Sequence, residues 1–211
     1  MLQKTMWFRR NKAIFLGKLT RFFSSAPNVI IGKNFTTDTI PDIIVEPHSR
    51  LIVGNDVTIR QHVELRVHGN STLHIENNVR IDRGVRILAN NQATITIKEG
   101  TRIGLYSVFN GGDSISIGRK CLISGHVYLQ TSMHRHEKGK FIQDQGYDHG
   151  PIILEDDVWL GAHVLVLPGC TLGSGAIVGS NSVVTKHVEA NTIVAGSPAK
   201  FLKERELLSV Q

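Results

Sequence analysis

The chain has 211 residues, a formal net charge of +6, 41% hydrophobic residues and 20% charged ones. That length can bury a real core in one or two domains, and the balance excludes both a disordered polyampholyte and a membrane bundle. Two cysteines exclude a disulfide framework and a four-thiolate zinc site, and no apolar run approaches the ~20 residues of a transmembrane helix.

Residues 1–28 form the first segment, basic and aromatic. Lys4, Arg9, Arg10, Lys12, Lys18 and Arg21 alternate with Trp7, Phe8, Phe15, Leu19, Phe22 and Phe23. On a helix, Phe8, Phe15, Leu19 and Phe22 share one face. Two readings stand: an interfacial helix on an anionic membrane, and a cap that packs this face over an open β edge. Ala13–Gly17 is too short for the core of a signal peptide, and no cleavage site follows.

A period of six governs residues 29–198. Stepping by six from Leu154 gives Leu160, Val166, Leu172, Val178 and Val184. The same step links Val53, Ile59 and Leu65; Ile75, Ile81 and Ile87; Ile97, Ile103 and Phe109; and Ile117, Ile123 and Leu129. With Ile31 these make 19 positions, of which 18 are Ile, Leu or Val, types that fill 59 of 211 residues. Chance predicts about five such hits. Two residues before the later aliphatics stand Val158, Val164, Cys170, Ala176 and Ser182. Six fits neither a helix nor simple alternation. It fits a short strand and a corner, three of which make an 18-residue triangular coil with the aliphatic inside. Cys121 and Cys170 take the inward small position and read as core, with no redox or nucleophilic role.

A second spacing overlies the first. Ile31, Val53, Ile75 and Ile97 are 22 apart, and Ile117 follows after 20. The extras are polar, at His68–Ser71, Asn90–Gln92 and Asn110–Asp113, and should stack as a ridge at one corner. About seven coils result, ~30 Å tall at the rung spacing of parallel strands. Residues 134–151 interrupt the repeat, as functional loops do. The tail 199–211 reads as a short C-terminal helix.

The segment Pro151–Lys203, with VWLGAHVLVLPG, VVTK and AGSPAK, resembles the hexapeptide-repeat acyltransferases, in their sugar and antibiotic O-acetyltransferase branch. The resemblance covers residues 29 to 203. It implies an all-β, left-handed parallel β-helix. The hand comes from the family, because parallel crossovers are otherwise right-handed. It also implies transfer of acetyl from acetyl-CoA, bound between two subunits, to a sugar hydroxyl. A triangular prism with flat faces invites a homotrimer, the chain reads as a cytoplasmic enzyme, and the basic aromatic N-terminus, which could meet a membrane-bound carrier lipid, makes a surface-polysaccharide precursor one candidate acceptor.

By the same resemblance, His134 is the catalytic base, with His136 as the alternative. A sugar hydroxyl attacks a thioester only as a base removes its proton, and imidazole titrates near neutrality. Glu137, Asp144, Asp148 or a backbone carbonyl could orient its other nitrogen. Asn110 matches a position that binds acceptor hydroxyls, although an ordinary Asn-Gly turn explains it equally. Ala162, Ser180, Thr185 and Lys186 match contacts of acetyl-CoA, and Lys200 and Lys203 match cations that meet its phosphates. For the lysines the plain alternative is a solvated surface charge. Trp159 either lines the site or packs beside its coil.

Other chemistries fit less well. Three-histidine zinc sites occur on related helices, but His62, His68 and His74 fall on successive outward faces, so no metal is expected. Nucleic acid is not an expected partner, since excess charge gathers at the termini with no stacking aromatics along the repeat. N-acetylation of an amino sugar and a non-catalytic scaffold remain as alternatives.

Overall fold

The computed structural model describes residues 2–24 and 26–206, with side chains from Arg10 onward. A helix (Leu2–Phe23) precedes short strands that wind into a three-faced parallel solenoid of seven coils. The first face runs from Val29–Ile31 to Thr171–Leu172, and the third from Asp42–Val45 to Val183–Val184. The second runs from Thr36–Thr37 to Thr192–Ala195 and ends on Lys200–Glu204.

The six-residue step is the register itself. Ile31, Val53, Ile75, Ile97, Ile117, Leu154 and Leu172 pair in one column of the first face. On the third face Leu65, Ile87, Phe109, Leu129, Val166 and Val184 do the same. From Val53 upward these side chains are buried, as are the compact Val158, Val164, Cys170, Ala176 and Ser182. Each inward aliphatic contributes roughly 1.5–3 kcal/mol, and its polar neighbours face water at strand period. Burial pushes the Cys121 thiol up to about 11, so it supplies no thiolate at neutral pH.

The corners need the left-handed backbone. Asn34, Asp56 and Asn78 take φ near 57° at the first corner of successive coils, a conformation that Asn and Asp tolerate. The polar extras stack at the third corner, between the third face and the first. There Gln92 N–H donates to the Gly69 carbonyl at 2.8 Å, and Gly69 N–H donates to Glu46 at 2.7 Å.

On the outer third face, Glu64 accepts from Arg86 Nε at 2.6 Å and also pairs with Arg66. The hydrogen bond from Arg86 chiefly holds its carboxyl below the usual range. A carboxylate depressed by folding stabilises the fold above its unfolded pKa, and that share is lost as pH falls below about 4.5. Glu64→Gln is therefore expected to cost about 1 kcal/mol at pH 7. In urea melts the gap to wild type should close as pH falls to about 3.5. An unchanged gap would refute the ion-pair account.

Both ends of the stack differ from expectation in detail. The helix does cap the first coil, but its closest approach is through Gly17 and Thr20, which are buried, with Ala13, Leu16 and Leu19 half-buried. A Cβ on Gly17 would collide with the Phe35 carbonyl oxygen. Phe15 and Phe22 stay 62% and 75% exposed, and the Phe8 side chain lies outside the described ones. At the other end, Lys200–Glu204 is a strand, not a helix. It pairs antiparallel with Thr192–Ala195, because that strand's open edge offers hydrogen bonds that a helix would leave unmade. Residues 207–211 of the expected helix lie outside the described residues.

Candidate active site

The repeat breaks after Tyr128–Gln130 at the third corner, directly above the ridge. The chain leaves as the strand Ser132–His134 and returns antiparallel as Tyr147–His149. Its root is a buried threonine. Thr131 is fully buried, donates from Oγ1 to the Asn110 carbonyl at 2.7 Å, and accepts from Asp113 N–H at 3.0 Å. Its own carbonyl accepts from Gly150 N–H at 3.0 Å. Asn110 thus anchors the hairpin. Its side-chain amide donates to Gln130 Oε1 at 3.0 Å, and Gln130 donates to the Ser132 carbonyl at 2.5 Å.

His134 is exposed and stands opposite Tyr147, with ring centroids 4.2 Å apart. Ser132 stands opposite His149 and shares a hydrogen bond of 2.9 Å with its Nδ1. Strand alternation puts His134, Tyr147, Ser132 and His149 on one face of the hairpin. Met133 and Asp148 take the other face, where Asp148 pairs with Arg135 at 2.7 Å. Asp148 is therefore not the orienting acceptor for His134. Among the described residues no carboxylate is hydrogen-bonded to that ring, and the Tyr147 ring lies against it, tilted by 37°. His136 is exposed and donates from Nδ1 to the His134 carbonyl at 3.2 Å.

Sequence reasoning passed over Tyr147, His149 and Ser132. The usable signal was the alternation Ser132-x-His134 against Tyr147-x-His149, which marks a hairpin rather than a featureless loop.

The other expected site residues lie elsewhere. Ala162 and Ser180 occupy the second corner, between the second and third faces, on adjacent coils. Asn181 N–H donates to the Ala162 carbonyl at 2.9 Å, and a side chain at Gly161 would meet Ser180 N at 2.6 Å. Small residues leave this ledge bare. Thr185 and Lys186 follow the last third-face strand, and Lys200 and Lys203 ride the terminal strand, all exposed. Lys203 is paired with Glu206 at 2.7 Å. Below Ala162, the rings of Tyr106, His126 and His163 stack at 5.5 and 4.7 Å, a column not foreseen from the sequence. Trp159 is half-exposed on the second face, over a hollow of about 390 Å³ with Arg80, Arg102 and Leu122.

One chain therefore brings His136 to His134 and Asn110 to the root of the same hairpin, but not Trp159 or the ledge. The ledge and His134 are separated by the breadth of the third face, ~13 Å for a four-residue strand. Among the described residues no group of three metal-ligating side chains converges.

Residues 151–186 match the bacterial transferase hexapeptide, over six repeats. That match covers 36 of the 211 residues. Over 102 residues the chain is 35% identical to WbbJ of Escherichia coli K12, named for lipopolysaccharide biosynthesis O-acetyl transfer, covering 44% of the chain and 51% of WbbJ. It is 33% identical over 93 residues to the galactoside O-acetyltransferase of the same organism, covering 43% of the chain and 44% of that enzyme. The chain thus spans about half the length of the curated relatives it matches. Among solved structures, the polySia specific acetyltransferase NeuO superimposes with a TM-score of 0.60 at 24% identity, over 87% of this chain and 88% of NeuO. AntD, an N-acyltransferase from Bacillus cereus solved as a point mutant with dTDP and coenzyme A, gives 0.64 at 20%, over 90% and 89%. These likenesses show the fold, the left-handed parallel β-helix.

Proposed function

We propose that the protein is an acetyl-CoA-dependent O-acetyltransferase acting on a sugar hydroxyl, with His134 as general base. The observation that carries this reading is the hairpin face, where an exposed imidazole is held against Tyr147 at the rim of a polar corner. His134 takes the proton of the acceptor hydroxyl as its oxygen attacks the thioester carbonyl. The C–S bond breaks, and the same imidazolium returns the proton to the departing sulfur, so charge balances without a covalent acyl-enzyme. Acetyl-CoA supplies the activated acetyl group. Ala162 and Ser180 would meet its pantetheine arm through backbone, Thr185 and Lys186 would flank it, and Lys200 and Lys203 would face its phosphates.

Because ledge and base lie on different corners, a neighbouring copy must complete each site. A three-fold arrangement of triangular prisms does this, and closed symmetry makes all sites equivalent. The WbbJ likeness supports an acceptor in surface-polysaccharide synthesis. The reading extends to a cytoplasmic enzyme that touches the membrane through residues 1–25. The AntD likeness favours a second reading, acyl transfer to an amino sugar.

The test is thiol release from acetyl-CoA against nucleotide sugars, free sugars, amino sugars and polysaccharide fragments. Release is expected with a hydroxyl acceptor. Release with amino sugars alone would favour the second reading. No release with any acceptor, together with no acetyl-CoA binding by calorimetry, would leave a scaffold.

A further inference from the structure

The N-terminal helix borders a cavity whose lining includes neither the hairpin nor the ledge. It is a cleft of about 730 Å³ between the N-terminal helix and the first two coils. Its cations are Arg10, Lys18 and Arg21 from the helix and Lys33 and Arg60 from the coils. Its carboxylates are Asp38 and Asp56. Asp38 is already paired with Arg60 at 3.0 Å, and Asp56 accepts from Asn34 at 2.9 Å. Five cations against two carboxylates leave a surplus of three positive charges. Arg10, Lys18, Arg21 and Lys33 have no carboxylate partner among the described residues. The floor adds the Thr36 and Thr58 hydroxyls, 3.0 Å apart.

The way the helix docks decides what lies beside this cleft. At ~100° per residue, Ala13, Gly17 and Thr20 form the docked face. Arg10, Ile14, Lys18 and Arg21 come next around the helix and open on the cleft. Phe15 and Phe22 follow on the outward side, 62% and 75% exposed, with Phe23 beyond them at 71%. Gly17 lets the helix backbone lie on the coil, so the large apolar side chains are left on the outside. Monomeric surfaces rarely expose neighbouring phenylalanines without a partner. A cationic cleft with a phenylalanine rim fits one surface chemistry: phosphate groups with acyl chains behind them.

We propose that the helix and its cleft form a docking site for the phosphate headgroups of an anionic lipid surface, with Phe15 and Phe22 entering the acyl boundary. The cleft takes the phosphates through Arg10, Lys18, Arg21 and Lys33. The helix lies flat, since no described helix is long and apolar enough to cross a membrane. The site identifies the membrane contact of the functional reading above, and binding needs no turnover, so the two stand or fall separately.

The experiment is co-sedimentation of the full chain with phosphatidylcholine vesicles, with and without phosphatidylglycerol, in the absence of acetyl-CoA and acceptor. Inorganic pyrophosphate serves as the soluble competitor. Binding is expected only with phosphatidylglycerol, and it should weaken with salt. Arg10→Gln, Lys18→Gln and Arg21→Gln together should weaken it roughly 100-fold, at about fivefold per charge. Phe15→Ser with Phe22→Ser should weaken it about tenfold. Circular dichroism melts should stay at the wild-type midpoint, because all five side chains are exposed, and thiol release with a soluble acceptor should persist. Equal binding to neutral vesicles, no binding to either, or full binding by the charge variant would overturn the proposal. Saturable pyrophosphate binding without vesicle binding would assign the cleft to a soluble phosphate and overturn the lipid source.

Discussion

Replacing His134 with alanine is expected to lower acceptor-dependent thiol release by about two to four orders of magnitude, the usual share of a positioned general base. The fall should appear in kcat, with acetyl-CoA binding by calorimetry unchanged, because the ledge at Ala162 and Ser180 lies on another corner. His136→Ala is the matched control. Its ring is tied to the His134 carbonyl at 3.2 Å, so its loss should cost a few-fold at most. Tyr147→Ala should fall between them. It removes the ring that lies 4.2 Å from His134, tilted by 37°, and leaves the base mobile, which lowers kcat by misorientation. If His136→Ala abolished release while His134→Ala kept it, the assignment of the base would be reversed.

Phe109→Ala carries the largest expected effect on stability. Phe109 is fully buried in the third face, in register with Ile87 below and Leu129 above. Emptying a site of that size costs about 3–5 kcal/mol. For a chain of this length each kcal/mol lowers the melting temperature by roughly 2–4 °C, so a drop on the order of 10 °C is expected. A solenoid coil contacts only its neighbours, so the damage should stay local, next to Asn110 and the hairpin root. Hydrogen exchange should quicken on these middle coils and stay slow at Val164–Val184. Trp159→Ala, on the half-exposed outer second face, should cost about 1 kcal/mol or less. Equal effects from the two substitutions would contradict the layered interior.

The fold was legible because its constraint recurs. An interior site every six residues admits one class of side chain, so Ile31 through Leu172 already spell the register. The polar extras were equally readable, since Asn90–Gln92 cannot enter that interior. Non-recurring features were harder. Lys200–Glu204 has a composition that suits a helix, and only the open edge of Thr192–Ala195 makes it a strand. The phenylalanines mark the helix in the sequence, yet its docking is decided by Gly17, where the absence of a side chain is the signal. At the site, the family pattern led to His134, but its neighbours arise from a cross-strand pairing of Ser132 with His149 and His134 with Tyr147. That pairing depends on a turn whose length no spacing rule fixes. The family resemblance joins the ledge and His134 in one site, and a single chain keeps them apart.

The third corner has a consequence for how such a protein can diverge. Inserts leave and return there between rungs whose spacing they do not set, and the entropy of closing a loop rises only slowly with its length. Coils of 22, 20 and 18 residues share one register, so lengthening an insert by a few residues leaves every interior contact in place. Acceptor choice can then drift by insertion and deletion at one edge. The ledge at Ala162 and Ser180, set by the rungs of another corner, stays in place, whereas any change of the hairpin carries His134 with it. Substrate range in such a chain is expected to track indels at this corner more closely than point substitutions anywhere on the faces.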